Sequence, residues 1–218
     1  TRLVRIDTWA DVATLHDFDK TLRLLLDKHR GLIMLTGHYG NWEVLGYLLA
    51  TLGFKMSAIG RPRDNPHLYD WVLGTREKKG LRVLAKTGAM AEVPDILDRH
   101  GVVGIIADQN AGSKGLFVDF FNRKAATYKS VALLAIRHEV PVVVGYARRR
   151  QGQFHFDVGT SDVIYPADWA TEDDPVRYIT QRYVTAMESF IRQDPTQYLW
   201  IHRRWKTRPK EELAAAGA

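Results

Sequence analysis

No cysteine occurs among the 218 residues, which removes disulfides, thiolate nucleophiles and cysteine-bound metals together. No apolar run approaches the ~18–20 residues that a membrane-crossing helix needs. The longest, LGYLLATLGF and VPVVVGY, read as a core helix and a core strand. Internal repeats, low-complexity tracts and Ser/Gly linkers are also missing, so one domain over residues 1–218 is expected. The first residue is Thr1 with no initiator methionine, and an anchor or signal upstream of it is expected. Neither sign of charge dominates: 31 Lys and Arg stand against 25 Asp and Glu, a net charge of +6. Such an excess suits an anionic partner (lipid headgroup, phosphorylated sugar, acidic carrier protein or nucleic acid) without choosing among them.

What is present is ordinary globular composition, 45% hydrophobic and 26% charged, enough for a buried core. Short apolar runs alternate with helical patterns. LIMLT (32–36), KMSAIG (55–60), LRVLA (81–85), VVGIIA (102–107) and VPVVVGYAR (140–148) read as strands. Helices are expected from Trp42 to Leu52, through DWVLGTREKK, up to Arg99, from Ser130 to Arg137 and from Pro175 to Arg192. QFHFDVG (153–159) follows so closely on the fifth strand that the two should form a hairpin. The fold class is therefore α/β, a mostly parallel, mixed central sheet flanked by helices. In open sheets of this kind ligands sit beyond the carboxyl ends of the strands. Two polar loops fall there: TGHYGNWE after LIMLT and DQNAGSKG after VVGIIA.

The first loop can do chemistry. Glycines flank His38 and Tyr39, permitting a sharp turn, and Asn41 is a good N-cap that places Glu43 in the first helical turn. On one continuous helix His38 and Glu43 would point roughly 140° apart. With the helix starting after Asn41, His38 can fold back over its start. A carboxylate on one ring nitrogen fixes the tautomer and makes the other a better base, a device usually worth ~10²–10⁴-fold in rate. The plainer reading is a loop histidine beside a carboxylate that complements the helix dipole. No second histidine or carboxylate stands at metal-ligand spacing nearby, so no metal is expected.

Five blocks in order, LTGHYGNWE, RPRDNPHLYDW, GIIADQNAG, GLFVDFF and QYLWIHRRWKTRP, resemble the lipid A biosynthesis acyltransferases, within the lysophospholipid-acyltransferase-like superfamily. The resemblance covers about residues 30 to 209. It implies an acyl-carrier-protein thioester as donor, an anionic lipid hydroxyl as acceptor, and the cytoplasmic face of the inner membrane, reached peripherally or through an N-terminal helix. His38 then resembles the family's base and Glu43 its orienting partner. Arg76 resembles a required arginine, Asp108 a functional aspartate. No cofactor is implied. The expected reaction is direct transfer, since an acyl-enzyme needs an activated Ser or Cys and no serine sits beside His38. Backbone N–H groups of the glycine-rich turn are the expected oxyanion donors.

Supporting residues carry two readings each. Arg61 and Lys129 could grip phosphate, or be a solvated loop charge and part of a helix cap. Phe117, Phe120 and Phe121 could line an acyl tunnel or be core. The basic run His202–Arg208 could dock anionic headgroups or the carrier protein, or be a poorly packed tail. A related acyltransferase with another acceptor (a phosphatidylinositol mannoside, lysophospholipid or ornithine lipid), using acyl-CoA, is the nearest alternative. A non-catalytic basic module is the distant one. Nucleic acid is not an expected partner, because the charge is dispersed and not gathered into one stripe with stacking aromatics.

Overall fold

The computed structural model describes residues 5–27, 30–60, 74, 77 and 80–216. Its centre is the strand β2 (Leu32–Thr36), all five residues of which are buried. Side chains of a strand alternate between faces. Ile33 and Leu35 accordingly enter one core and Leu32 and Met34 the other. That is why this strand shows no polar alternation in the sequence: it is covered on both sides.

Six more strands extend the sheet: β1 (Ala13–His16), β3 (Met56–Gly60), β4 (Leu81–Ala85), β5 (Val102–Ile106), β8 (Val142–Arg149) and β9 (Phe156–Ile164). Their order is β1-β9-β8-β2-β5-β3-β4. Neighbours are parallel except for the β8–β9 hairpin. The mixed, mostly parallel α/β sheet expected from the sequence is present, with the hairpin where the short spacing put it.

One face is covered by α4 (Lys86–Asp98), α5 (Ser130–His138) and, beyond the short α6 (Pro166–Trp169), α7 (Pro175–Gln193); Val93, Val131, Tyr183, Phe190 and their neighbours form a continuous core there. The other is covered mainly by α3 (Trp42–Thr51), whose Leu45, Leu48 and Leu49 meet Met34, Val143 and Phe156. α1 (Trp9–Val12) and α2 (Asp19–Leu26) extend this second core through Trp9, Leu24 and Leu25. Leu48 and Leu49 are fully buried; truncating either to Ala is worth about 2–5 kcal/mol of stability. α3 begins as the sequence indicates, with the Asn41 side chain accepting from Val44 N at 3.1 Å.

Two features depart from the sequence reading. Residues between β5 and α5, read as a loop rich in aromatics, form a separate hairpin of β6 (Leu116–Phe120) and β7 (Arg123–Thr127). Its turn is Phe121–Asn122, both at positive φ (51° and 57°). Hairpin turns of this conformation are usually announced by Asn-Gly or Asp-Gly, so a Phe there hides the signal. The other is at residues 13–26, where β1 and α2 form outside the runs that read as strands and helices in the sequence. The helix expected through DWVLGTREKK lies almost wholly outside the described residues. No helix among the described residues is long and apolar enough to cross a membrane.

Candidate active site

β2 and β5 are parallel neighbours with Thr36 opposite Ile106. Ala107 N donates to Thr36 O at 3.1 Å, carrying the ladder one step beyond the strands. One residue further, His38 and Asp108 face each other. The carboxylate of Asp108 uses both oxygens on that one residue. Oδ2 accepts from the His38 backbone N–H at 2.7 Å, and Oδ1 bonds the ring Nδ1 at 2.7 Å. The Asp108 side chain is 1% exposed and the His38 side chain 18%. Gly37 makes this approach possible: a Cβ there would stand 3.3 Å from Asp108 Cβ and Oδ2. With Nδ1 held by a buried carboxylate, Nε2 is the nitrogen left to act on a substrate proton.

The loop that presents His38 is pinned on two sides. Gly40 N donates to Gln197 O, Leu199 N to His38 O, and Asn41 N to Ala147 O at the end of β8. Tyr39 forms an isolated antiparallel bridge with Tyr198. Gly40 lies at φ +55°, and a Cβ on it would sit 2.1 Å from Ala147 O, so only glycine serves there. The N–H groups of residues 38 to 41 are all bonded within the protein, Tyr39 N to Gly37 O at 2.8 Å among them.

Aromatic rings enclose the imidazole. Trp42 stands edge-on at 4.9 Å between centroids, and His202 at 4.5 Å. The Tyr198 hydroxyl is buried close enough to Asp108 for the carboxylate to add to the rise that burial causes in its pKa, yet outside hydrogen-bonding geometry. Burial likewise pushes the Tyr39 hydroxyl up to about 12. Arg204, 1% exposed, donates from its guanidinium to Ala126 O at 2.6 Å and Thr127 Oγ1 at 2.5 Å. The desolvation lowers its pKa from the ordinary arginine value. The basic run is thus in part a structural plug: Arg204 is interior, and Arg208 is tied to Lys124 O and Glu212. Arg203 and Lys206 remain exposed.

Of the residues picked from the sequence, the fold joins His38 to Asp108. Glu43 stands in the first turn of α3, half-buried; the carboxylate on His38 Nδ1 is that of Asp108. Lys129 is exposed at the start of α5 without a side-chain capping bond. Arg61 and Arg76 lie outside the described residues. Phe120 is core, stacked on Trp205 at 5.5 Å. Sequence reasoning took His202 only as the start of the basic run and did not single out Trp42 or Tyr198. The signal available was their crowding, since His202 closes the aromatic run YLWIH. A cleft of about 660 Å³ beside α7 is lined by Asp162, Asp173, Arg177 and Arg182. It includes neither His38 nor Asp108, and its charged wall is unlike a fatty-chain site.

Residues 4–207 match the family described as bacterial lipid A biosynthesis acyltransferase. The chain belongs to that family. Among the relatives of these acyltransferases, the lipid A biosynthesis palmitoleoyltransferase of Escherichia coli (strain K12) is 26% identical over 212 residues, 95% of this chain and 65% of the relative. A lipid A biosynthesis acyltransferase of Haemophilus influenzae is 26% identical over 224 residues, 95% of this chain and 64% of the relative. The lipid A biosynthesis myristoyltransferase of Escherichia coli (strain K12) is 30% identical over 190 residues, 83% of this chain and 55% of the relative. The chain therefore spans less than two thirds of the length of each of these relatives.

Proposed function

We propose that this chain moves a fatty acyl group from an acyl-carrier-protein thioester to a hydroxyl of a lipid A precursor in one direct transfer. The observation that carries the proposal is the buried Asp108 carboxylate on His38 Nδ1, at the carboxyl ends of two parallel strands, in a chain of this family. Nε2 takes the proton of the acceptor hydroxyl as its oxygen attacks the thioester carbonyl. The tetrahedral intermediate then collapses, the carbon–sulfur bond breaks, and the thiolate takes the proton back from the imidazolium. Asp108 keeps the ring in the productive tautomer and offsets the charge it gains.

In the same proposal Glu43 is the second carboxylate of the site, acting with His38 from the start of α3. Arg61, Arg76 and Lys129 hold anionic groups of donor or acceptor. The net charge of +6 complements both an acidic carrier and an anionic lipid. The names of the relatives, lipid A palmitoleoyl- and myristoyltransferases, support a fatty chain as the cargo. They support the cytoplasmic face of the inner membrane as its place only through the lipid handled.

The test is transfer by the intact protein with purified acyl-carrier-protein donor and lipid A precursor, read by mass spectrometry of the lipid. The expected product is heavier by one acyl chain. His38→Ala should lower turnover by about 10³-fold or more with the fold intact. Near-normal turnover of that variant would remove the base assignment. Acylation of a lysophospholipid or a phosphatidylinositol mannoside, and not of the lipid A precursor, would move the enzyme to another acceptor.

A further inference from the structure

The mechanism above uses one histidine, but the fold puts a second imidazole against it. His202 lies edge-on to His38, 4.5 Å between ring centroids and 65° between planes. Trp42 makes the corresponding contact at 4.9 Å and 73°. The placement is fixed by more than packing. Leu199 N donates to His38 O, His202 N to Leu199 O and Arg204 N to His202 O, and the buried Arg204 guanidinium bolts the next residue but one to β7. The turn that carries His202 is therefore tied at one end to His38 itself and at the other to the core.

His202 Nε2 is buried and has no hydrogen-bond partner among the described residues. A buried polar atom left without a partner is costly, and one that adjoins a reactive residue is a place where strain and function coincide. The cost is far larger if the ring carries a charge. Burial, and after it the positive charge that His38 can carry, hold the His202 pKa below the ordinary histidine value; Asp108 pulls it the other way. Among the described residues, His38 and Asp108 are the titratable groups whose charges act on it.

We propose that His202 is a positioning residue of the transfer reaction: as a neutral ring packed edge-on against His38, it holds the base in place and leaves Asp108 to offset a single imidazolium. The inference rests on the reading of His38 as the base. When His38 takes the acceptor's proton, the imidazolium forms beside a neighbour that is uncharged and is stabilised by Asp108. Were His202 protonated first, two cations would share one buried carboxylate at close range, and His38 would resist the proton it must accept. Acid should thus stop transfer through two coupled protons, not one.

Three variants separate this role from simple packing. His202→Phe keeps an edge-on aromatic ring and removes the titration. Its turnover at pH 8 should stay within about threefold of the parent, because the ring contact is retained. The acid limb of log kcat/KM against pH should steepen toward a slope of two in the parent and stop at one in this variant. His202→Ala should lower kcat by about 10–100-fold with KM little changed, since a base loosened from its position loses rate and not substrate affinity. His202→Lys, a fixed cation, should be inactive across the range. Proton NMR titration of the His38 ring adds a readout that needs no turnover: His38 should titrate higher in His202→Phe held against His202→Lys. Identical acid limbs in parent and His202→Phe, or a His38 titration indifferent to both substitutions, would overturn the proposal. If instead His38→Ala itself keeps normal turnover, the base assignment fails first, and the NMR titration still decides whether the two rings are coupled.

Discussion

His38 meets Asp108 at 2.7 Å and His16 meets Asp157 at 2.8 Å, and both pairs sit on one rim of the sheet. Ala147, which receives Asn41 N from the His38 loop, is followed by Arg148, and Arg148 pairs across the hairpin with Asp157. The chemistry of the partners is the same, but their surroundings are not. Asp157 is crowded by cations: Arg150 reaches it through Nε and Nη2 at 3.0 and 2.7 Å, and Arg148 at 3.5 Å. Burial pushes its carboxyl up, but the bonds from Arg150 and His16 outweigh that and hold it down at about 2. Asp108 has no arginine within ion-pair distance among the described residues. The Arg204 guanidinium is spent on Ala126 O and Thr127. A carboxylate saturated by guanidinium groups is a structural anchor. One whose oxygens are both given to a single histidine can steer that ring.

The comparison can be broken most forcefully at Asp108. Asp108→Asn presents an N–H where Nδ1 needs an acceptor and forces the imidazole into the other tautomer. An equivalent swap in the serine-protease triad costs about 10⁴-fold in rate, and a loss of about 10³-fold or more in acyl transfer is expected here, with the protein still folded by circular dichroism. A loss below tenfold would make Asp108 a bystander.

Asp157→Asn should do the reverse, leaving transfer within about threefold while lowering stability by about 1–2 kcal/mol. The figure is discounted because Arg150 and His16, which hold the carboxyl down at about 2, are partly exposed. The sign follows from the depression. The contribution is complete above the unfolded carboxyl pKa of about 3.9 and is lost as pH falls through about 2. Urea titrations at pH 7 and pH 2 check it: the gap between parent and variant should be present at the first and shrink at the second. An unchanged gap would take the ion pairs out of the account.

The sequence showed His38 and Asp108 as strand-end residues and hid that they pair. His38 was legible because a polar, glycine-flanked turn follows an apolar strand, and Asn41 marks where the helix resumes. Reading along the chain then offers Glu43 as its carboxylate. Asp108, seventy residues away, meets Nδ1 because β2 and β5 are neighbours in register, and strand order cannot be read from apolar runs alone. Both loops were nonetheless marked as strand-end loops, so the adjacency lacked only that order. Arg204 was hidden for another reason. Charge argues for exposure, and only the carbonyl of Ala126 and the hydroxyl of Thr127, in a hairpin the sequence did not disclose, make burial of a guanidinium tolerable. The parallel sheet was easier, because strands covered on both faces are apolar throughout, whatever their order.

The central claim, that a buried carboxylate holds His38 as a base, is tested most directly by the ¹⁵N shifts of the His38 ring at pH 8 with no substrate present. The expected spectrum has Nδ1 protonated and coupled to Asp108, with Nε2 bearing the lone pair, and this pattern collapses in Asp108→Asn. A proton found on Nε2 in the parent protein would contradict it, whatever the activity of the chain.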